Sequence, residues 1–302
     1  MHTNPVPRVG RLIAGATLMA LGLTATLRAA PFPPLNSSAS GSVVPGKLVW
    51  ADLFTSEPEA ATRFYCGLFG WTSRTIDQKG KSYTIFSNDG VPVAGLAPHS
   101  YAKQNHPSRW IGYVSVADIN AAVAAVGKNG GKVFAPAKKF PDRGFQAIIG
   151  DNEADPIGLI QSSSGDPADE DTKPGSWNWF ELYVKDPQGT TQFYHQVLAY
   201  DVAPETNSDR KGDFVLSSGG NSRGGIAPIP SDATDAKSSW LGVIRVTDLD
   251  QTLDKVATLG GQVLVKPHAV EFGSRFAIIE DPTGGAIGLV QYIESENPAK
   301  NP

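Results

Sequence analysis

WADLFTSEPEAATRFYCGLFGW, residues 50–71, decides the reading, because WFELYVKDPQGTTQFYHQVLAY, residues 179–200, repeats it. Each stretch opens with β-like alternation, passes a proline at Pro58 or Pro187, and continues with helical spacing through Phe64-Tyr65 or Phe193-Tyr194. Each also puts an acid two residues after its first Trp, Asp52 in one copy and Glu181 in the other. Working outward at a register of 129 residues, Leu53 meets Leu182 and Thr62 meets Thr191. After a one-residue slip, Trp110 meets Trp240, Asp118 meets Asp248, and Gly130-Gly131 meets Gly260-Gly261. DNEADPIGLIQ from Asp151 then meets DPTGGAIGLVQ from Asp281. An internal duplication is the economical explanation.

The 302 residues suffice for about two domains, each able to bury its own core. The duplication places them at 46–163 and 175–293, joined by an acidic linker at 164–174 and followed by a tail at 294–302. Residues 1–30 carry Arg8 and Arg11 before the apolar run LIAGATLMALGLTATL and read as a signal peptide, so the protein is expected to be periplasmic or secreted. If that leader stays uncleaved, it anchors the chain to a membrane instead; otherwise no stable membrane partner is expected. Residues 31–45, rich in Pro, Ser and Gly, read as a flexible lead into the folded part. A net charge of −4 with no basic run interleaved with aromatics argues against nucleic acid. The lone Cys66 rules out an intramolecular disulfide and reads as an inert packing thiol.

Within each copy the periodicity changes in a regular way. KLVWADLF and NWFELYV alternate as strands, and a helix follows, with Asp186 a good N-cap and Glu57 a poorer one. YTIFS with VAGLAP, and DFVLS with GGIAP, read as further strands. WIGYVSV or WLGVIRV leads to a helix starting near Asp118 or Asp248 and ending at the paired glycines. Strands KVFAP, FQAIIG and IGLIQ close the first copy, and QVLVKP, RFAIIE and IGLVQ the second. The fold class is α+β, a βαβββ unit written four times.

Strand alternation puts Val49, Ala51 and Leu53, and likewise Phe180, Leu182 and Val184, on a face that packs under the helices. The opposite face carries Trp50, Asp52 and Phe54 in one copy and Trp179, Glu181 and Tyr183 in the other. Large aromatics on either side of a carboxylate suit a concave ligand surface, though the same residues could fill a barrel or an interface. The next strands add Tyr113 to the first face and Arg245 to the second, where Arg245 could bind an anion or pair with Glu181. His195 reads as a helix-packing histidine, and His99, His106 and His268 as loop residues.

Paired βαβββ units with xFY in the first helix, V-x-D before the second and D-P-x-G before the last strand resemble the vicinal oxygen chelate superfamily. That superfamily includes glyoxalase I, extradiol dioxygenases and bleomycin-resistance proteins. The resemblance implies two tandem domains, each made of paired units forming a curved, partly open barrel. It also implies, in metal-using members, a divalent metal held by His, Gln or Glu from the opening and closing strands. Here those positions carry Trp50, Ile111, Trp179 and Leu241, then Gly158 and Gly288, and the unit-closing strands around Gly95 and Gly225 are bare. No metal or other cofactor is therefore expected. The leading expectation is an exported small-molecule binder that uses Trp50, Phe54, Tyr113, Trp179, Tyr183 and Arg245. The alternative is a metal-dependent lyase, isomerase or dioxygenase in which Asp52 or Glu181 is a metal ligand or general base. A third class, an interaction module with Trp50 and Trp179 in a subunit interface, leaves a homo-oligomer open.

Overall fold

The computed structural model describes residues 32–35, 41–77, 80–99, 107–206, 212–231, 233, 236–270 and 274–292. The expected signal peptide and His106 lie outside them. The first domain runs β1 (Leu48–Thr55), α1 (Pro58–Phe69), β2 (Thr72–Asp77), β3 (Ser82–Asn88), β4 (Val91–Pro98), then β5 (Arg109–Ser115), α2 (Ile119–Lys128), β6 (Lys132–Phe140), β7 (Gly144–Gly150) and β8 (Pro156–Ser162). The second repeats it with β9 (Trp177–Val184), α3 (Pro187–Leu198), β10 (Asp201–Pro204), β11 (Phe214–Ser218), β12 (Asn221–Pro228), β13 (Ser239–Arg245), α4 (Leu249–Thr258), β14 (Gln262–Ala269), β15 (Arg275–Glu280) and β16 (Ala286–Gln291).

Each domain is one open, mixed sheet. The order is β2-β3-β4-β1-β5-β8-β7-β6 in the first and β10-β11-β12-β9-β13-β16-β15-β14 in the second. The opening strands of the paired units meet antiparallel at the centre, β1 on β5 and β9 on β13, and each also pairs parallel with its own unit's last strand. The Asp186 side chain accepts from the Gly189 N–H to cap α3, whereas Glu57 gives α1 no side-chain cap. Asp118 and Asp248 cap α2 and α4.

Four strands depart from the sequence reading. Strands β2 and β10, which the βαβββ count requires, had not been located along the sequence: β2 is an edge strand, TSRTID, with only Ile76 buried, so it shows no apolar alternation. His268 lies in strand β14 rather than a loop, because β14 is an edge that tolerates Pro267 and runs on to Ala269. Val49 turns away from the helices with Trp50, because a bulge between Leu48 and Trp50 shifts the pairing with β5 and sends Leu48 to the helix side instead.

The domains do not own separate helix-side cores. Ala51, Leu53, Phe64 and Leu68 of the first unit share one cluster with Ile244, Leu249, Val256, Ala277 and Leu289 of the last unit. Val114, Ile119, Val126 and Leu159 share another with Leu182, Phe193, Val197 and Leu198. Motifs from opposite domains close these cores. Tyr65 donates its hydroxyl to Asp281 Oδ2 at 2.7 Å and accepts from Trp110 Nε1 at 2.8 Å. Tyr194 donates to Asp151 Oδ2 at 3.1 Å and accepts from Trp240 Nε1 at 3.2 Å. A Cβ on Gly261 would strike the Phe64 ring, and one on Gly131 the Phe193 ring, so the second glycine of each pair receives the other domain's phenylalanine.

Candidate functional site

Each sheet has a second face on the side away from the helices, called its bowl below. In the first domain this bowl holds Trp50, Tyr83, Ile85, Ile111, Tyr113 and Ile160, with Phe54 half-buried at its edge. Phe54 meets His99 edge-on with centroids 5.9 Å apart. Asp52, 6% exposed, accepts from Trp50 Nε1 at 2.7 Å and from the Tyr83 hydroxyl at 2.6 Å. Burial raises its carboxyl above the ordinary range, while the Tyr83 hydrogen bond, the Arg143 charge and hydrogen bonds from Trp50 and Tyr113 pull the other way. The same burial, with Asp52 beside them, pushes the Tyr83 and Tyr113 hydroxyls well above their usual range. A Cβ at Gly95 would collide with Asp52 and the Tyr83 hydroxyl, so this glycine makes room for the acid. The Tyr113 ring fills the corresponding space over Gly158.

The second bowl is built alike. Trp179 Nε1 donates to Glu181 Oε2 at 2.7 Å, and Gly225 leaves the space that the Glu181 carboxylate takes. Leu241 and Val243 are buried beside them. Trp179, Glu181 and Tyr183 are each half-buried, unlike Trp50 and Asp52 in the first bowl. Arg245 donates Nη1 to the Thr172 carbonyl at 2.6 Å and lies over the Tyr292 ring, 5.2 Å from its centroid. It therefore holds the linker. Of the other sequence candidates, Cys66 packs partly buried against the first core, which raises its thiol pKa, and His195 Nδ1 pairs with the Tyr200 carbonyl at 2.7 Å.

A groove of about 580 Å³ lies between the domains along the linker. Its floor includes Trp50 and Trp179, and the ion pairs of Lys47 and Arg223 with Asp169, at 2.8 and 2.7 Å, brace it. The Arg223 hydrogen bond, with Lys47, holds the Asp169 carboxyl down at about 2.

Sequence reasoning missed Tyr83, Arg143 and Phe32. The alternation of YTIFS would have put Tyr83 on the bowl face with Ile85. Arg143 stands in the β6–β7 turn, where no periodicity operates. Phe32 belongs to the tract read as a flexible lead, yet Phe32 and Leu35 pack in the first bowl. The Val44 N–H also reaches Asp166 Oδ2 at 2.6 Å, so that stretch is tied to the linker.

A duplicated, four-unit βαβββ chain with its first and last units sharing a core defines the paired-unit class anticipated from the sequence. The chain belongs to the Glyoxalase/Bleomycin resistance protein/Dioxygenase superfamily, whose family model matches residues 47–159 and 176–289. It is 30% identical over 245 residues to a Mycobacterium tuberculosis (strain CDC 1551 / Oshkosh) protein named "Putative glyoxylase CFP32", covering 80% of this chain and 93% of that one. It is 28% identical over 266 residues to "Anthracycline biosynthesis protein DauV" of Streptomyces sp. (strain C5), covering 83% and 95%. The fold is similar to that of a Mn(II)-bound glyoxalase from Novosphingobium aromaticivorans, with a TM-score of 0.58 at 15% identity over 83% of each chain.

Members of this superfamily usually hold a divalent metal, and the residues at the positions where the resemblance implies its ligands do not fit one. The positions where the resemblance implies ligands present indole, aliphatic or glycine residues, and Tyr113 and Phe276 crowd the space above Gly158 and Gly288. Among the described residues no three His, Cys, Asp or Glu side chains gather as a ligand set.

Proposed function

We propose that the protein is an exported small-molecule-binding protein of this superfamily, in which the second bowl takes the ligand and no divalent metal takes part. The observation that carries the reading is the contrast between half-buried Trp179, Glu181 and Tyr183 and their buried counterparts Trp50 and Asp52. Two aromatic faces beside a carboxylate suit a planar or apolar molecule that stacks on the rings and donates a hydrogen bond to Glu181. Export rests on the basic and apolar character of residues 1–30. Thermal shift and tryptophan fluorescence against aromatic, sugar and thiol-adduct libraries provide the test. Trp179→Ala should weaken any hit about tenfold or more, and silence across all three libraries at millimolar concentration would sink the idea.

The name of the mycobacterial relative supports a second reading, an enzyme of the glyoxalase or dioxygenase type with Asp52 or Glu181 as metal ligand or general base. Plasma mass spectrometry of protein purified without chelator separates the two. One equivalent of metal that disappears in the Asp52→Ala/Glu181→Ala double variant would replace the binding reading with the enzymatic one.

A further inference from the structure

The first bowl is filled by the chain itself. Phe32 and Leu35 pack against its buried cluster of Trp50, Ile76, Tyr83, Ile85, Ile111, Tyr113 and Ile160. The Phe32 ring meets Tyr83 edge-on at 4.7 Å and Phe140 at 5.4 Å. The guanidinium of Arg143 lies 4.1 Å from the Trp50 ring centroid and 5.7 Å from that of Phe32. Its Nε donates to the Pro33 carbonyl at 2.9 Å. An aromatic ring, a directed carbonyl and an aliphatic tip, each with its own place, form the contact set of a bound ligand.

The bowl is also shaped to receive them. Arg143 enters it between Asp142 at φ 62° and Gly144 at φ 110°, two left-handed positions, and a Cβ on Gly144 would collide with the Gln161 carbonyl. Arg143 is 1% exposed, so its charge requires partners inside the protein. Trp50 covers one face, Asp52 is the neighbouring opposite charge, and Pro33 takes Nε. Nη2 has no partner among the described residues. Without Pro33, Nε would be orphaned as well, so the pocket chemistry calls for an acceptor where that carbonyl stands.

We propose that Phe32–Leu35 is an intrachain ligand, and that the first bowl is a binding site for a Phe-Pro segment, an aromatic ring followed by a carbonyl acceptor. The sequence of the second domain lacks the pair: with IGLIQ of β8 laid on IGLVQ of β16, the position of Arg143 aligns with Gly273, and no Phe-Pro occurs in the 164–174 linker. The tether strengthens the arrangement. Gly41 N–H reaches the Ser164 carbonyl at 3.3 Å and Val44 N–H reaches Asp166, which holds the segment beside its site at high effective concentration. The inference stands whether or not the second bowl takes a ligand.

The test uses the full chain and a labelled synthetic peptide, Ala-Pro-Phe-Pro-Pro-Leu-Asn-Ser, matching residues 30–37. The Phe32→Ala/Leu35→Ala variant should bind it at least tenfold more tightly than the unaltered chain, whose bowl is occupied. Adding Arg143→Gln should reverse that gain, and a peptide with Ala for Phe should fail to bind. Equal binding by both chains, or none by a folded variant at about 1 mM peptide, would overturn the proposal. Should the double variant not fold, chymotryptic cleavage after Leu35 provides a second measure. It should be at least tenfold faster with Arg143→Gln alone, and an unchanged rate in that variant would equally overturn the proposal.

Discussion

An indole N–H 2.7 Å from a carboxylate oxygen two residues along the same strand occurs twice, at Trp50–Asp52 and Trp179–Glu181, and the surroundings give each pair a different character. Around Asp52, two tyrosines, an arginine and the leader crowd the carboxyl, which is buried and accepts from Trp50 and Tyr83. Glu181 keeps partial access and is the better candidate for meeting a ligand. A third acid, Asp155, is pushed up to about 7 by burial and by the neighbouring Asp151 charge, with Arg109 offsetting part of the rise. The folded chain therefore holds this proton more tightly than the unfolded chain, so the stability it contributes is complete near pH 4 and is lost as pH rises through about 7. Asp52 and Asp151, also raised by burial, act in the same direction. Urea midpoints should fall between pH 5.5 and pH 8, and Asp155→Asn should flatten much of that fall. A midpoint that climbs over this range, or a variant with the parent's slope, would refute the assignment. The acid pairs were legible because strand alternation fixes which side chains share a face. Arg143 and Asp155 were not, because turns carry no period and their environments are assembled from distant chain segments.

At the scale of elements, the motifs that mark the repeat prove to be each other's partners across the domain boundary. Phe64-Tyr65 on α1 meets Gly261 and Asp281, and Phe193-Tyr194 on α3 meets Gly131 and Asp151. Gly131 lies outside the left-handed region, unlike Gly130 at φ 82°, so alanine there costs little in backbone strain. The obstacle is the Phe193 ring and the Gly150 carbonyl. Gly131→Ala should destabilise by about 1–3 kcal/mol through overpacking. Part of the loss should return in the Gly131→Ala/Phe193→Leu double variant, a coupling that a urea double-mutant cycle measures. Strictly additive losses would mean that the ring is not what the new methyl meets. The repeat, the helices and their caps were readable because periodicity and capping are local. The edge strands β2 and β10 and the bulge at Val49 were not, since their conformations follow from pairing with neighbours rather than from their own pattern.

For the whole molecule, the shared cores change what a domain means here. Length suggested two bodies with private cores, but the helix side of each sheet is covered by residues of both. A separated half would expose one face of α1 and α2, along with Phe64, Leu68 and Val126, to water, losing the burial that holds small domains together. The intact chain should unfold in a single cooperative transition. A half spanning residues 31–168 should be unfolded as a monomer. The internal symmetry permits one escape: a second copy could offer Gly131 and Asp151 to Phe64-Tyr65 in place of Gly261 and Asp281. A folded half should therefore sediment as a dimer and lose its fold on dilution, whereas the two halves produced together should restore the native spectrum. A half that folds as a monomer with sharp near-ultraviolet dichroism would show that each sheet stabilises its own helices and that the cross-domain Tyr–Asp and Phe–Gly contacts are secondary.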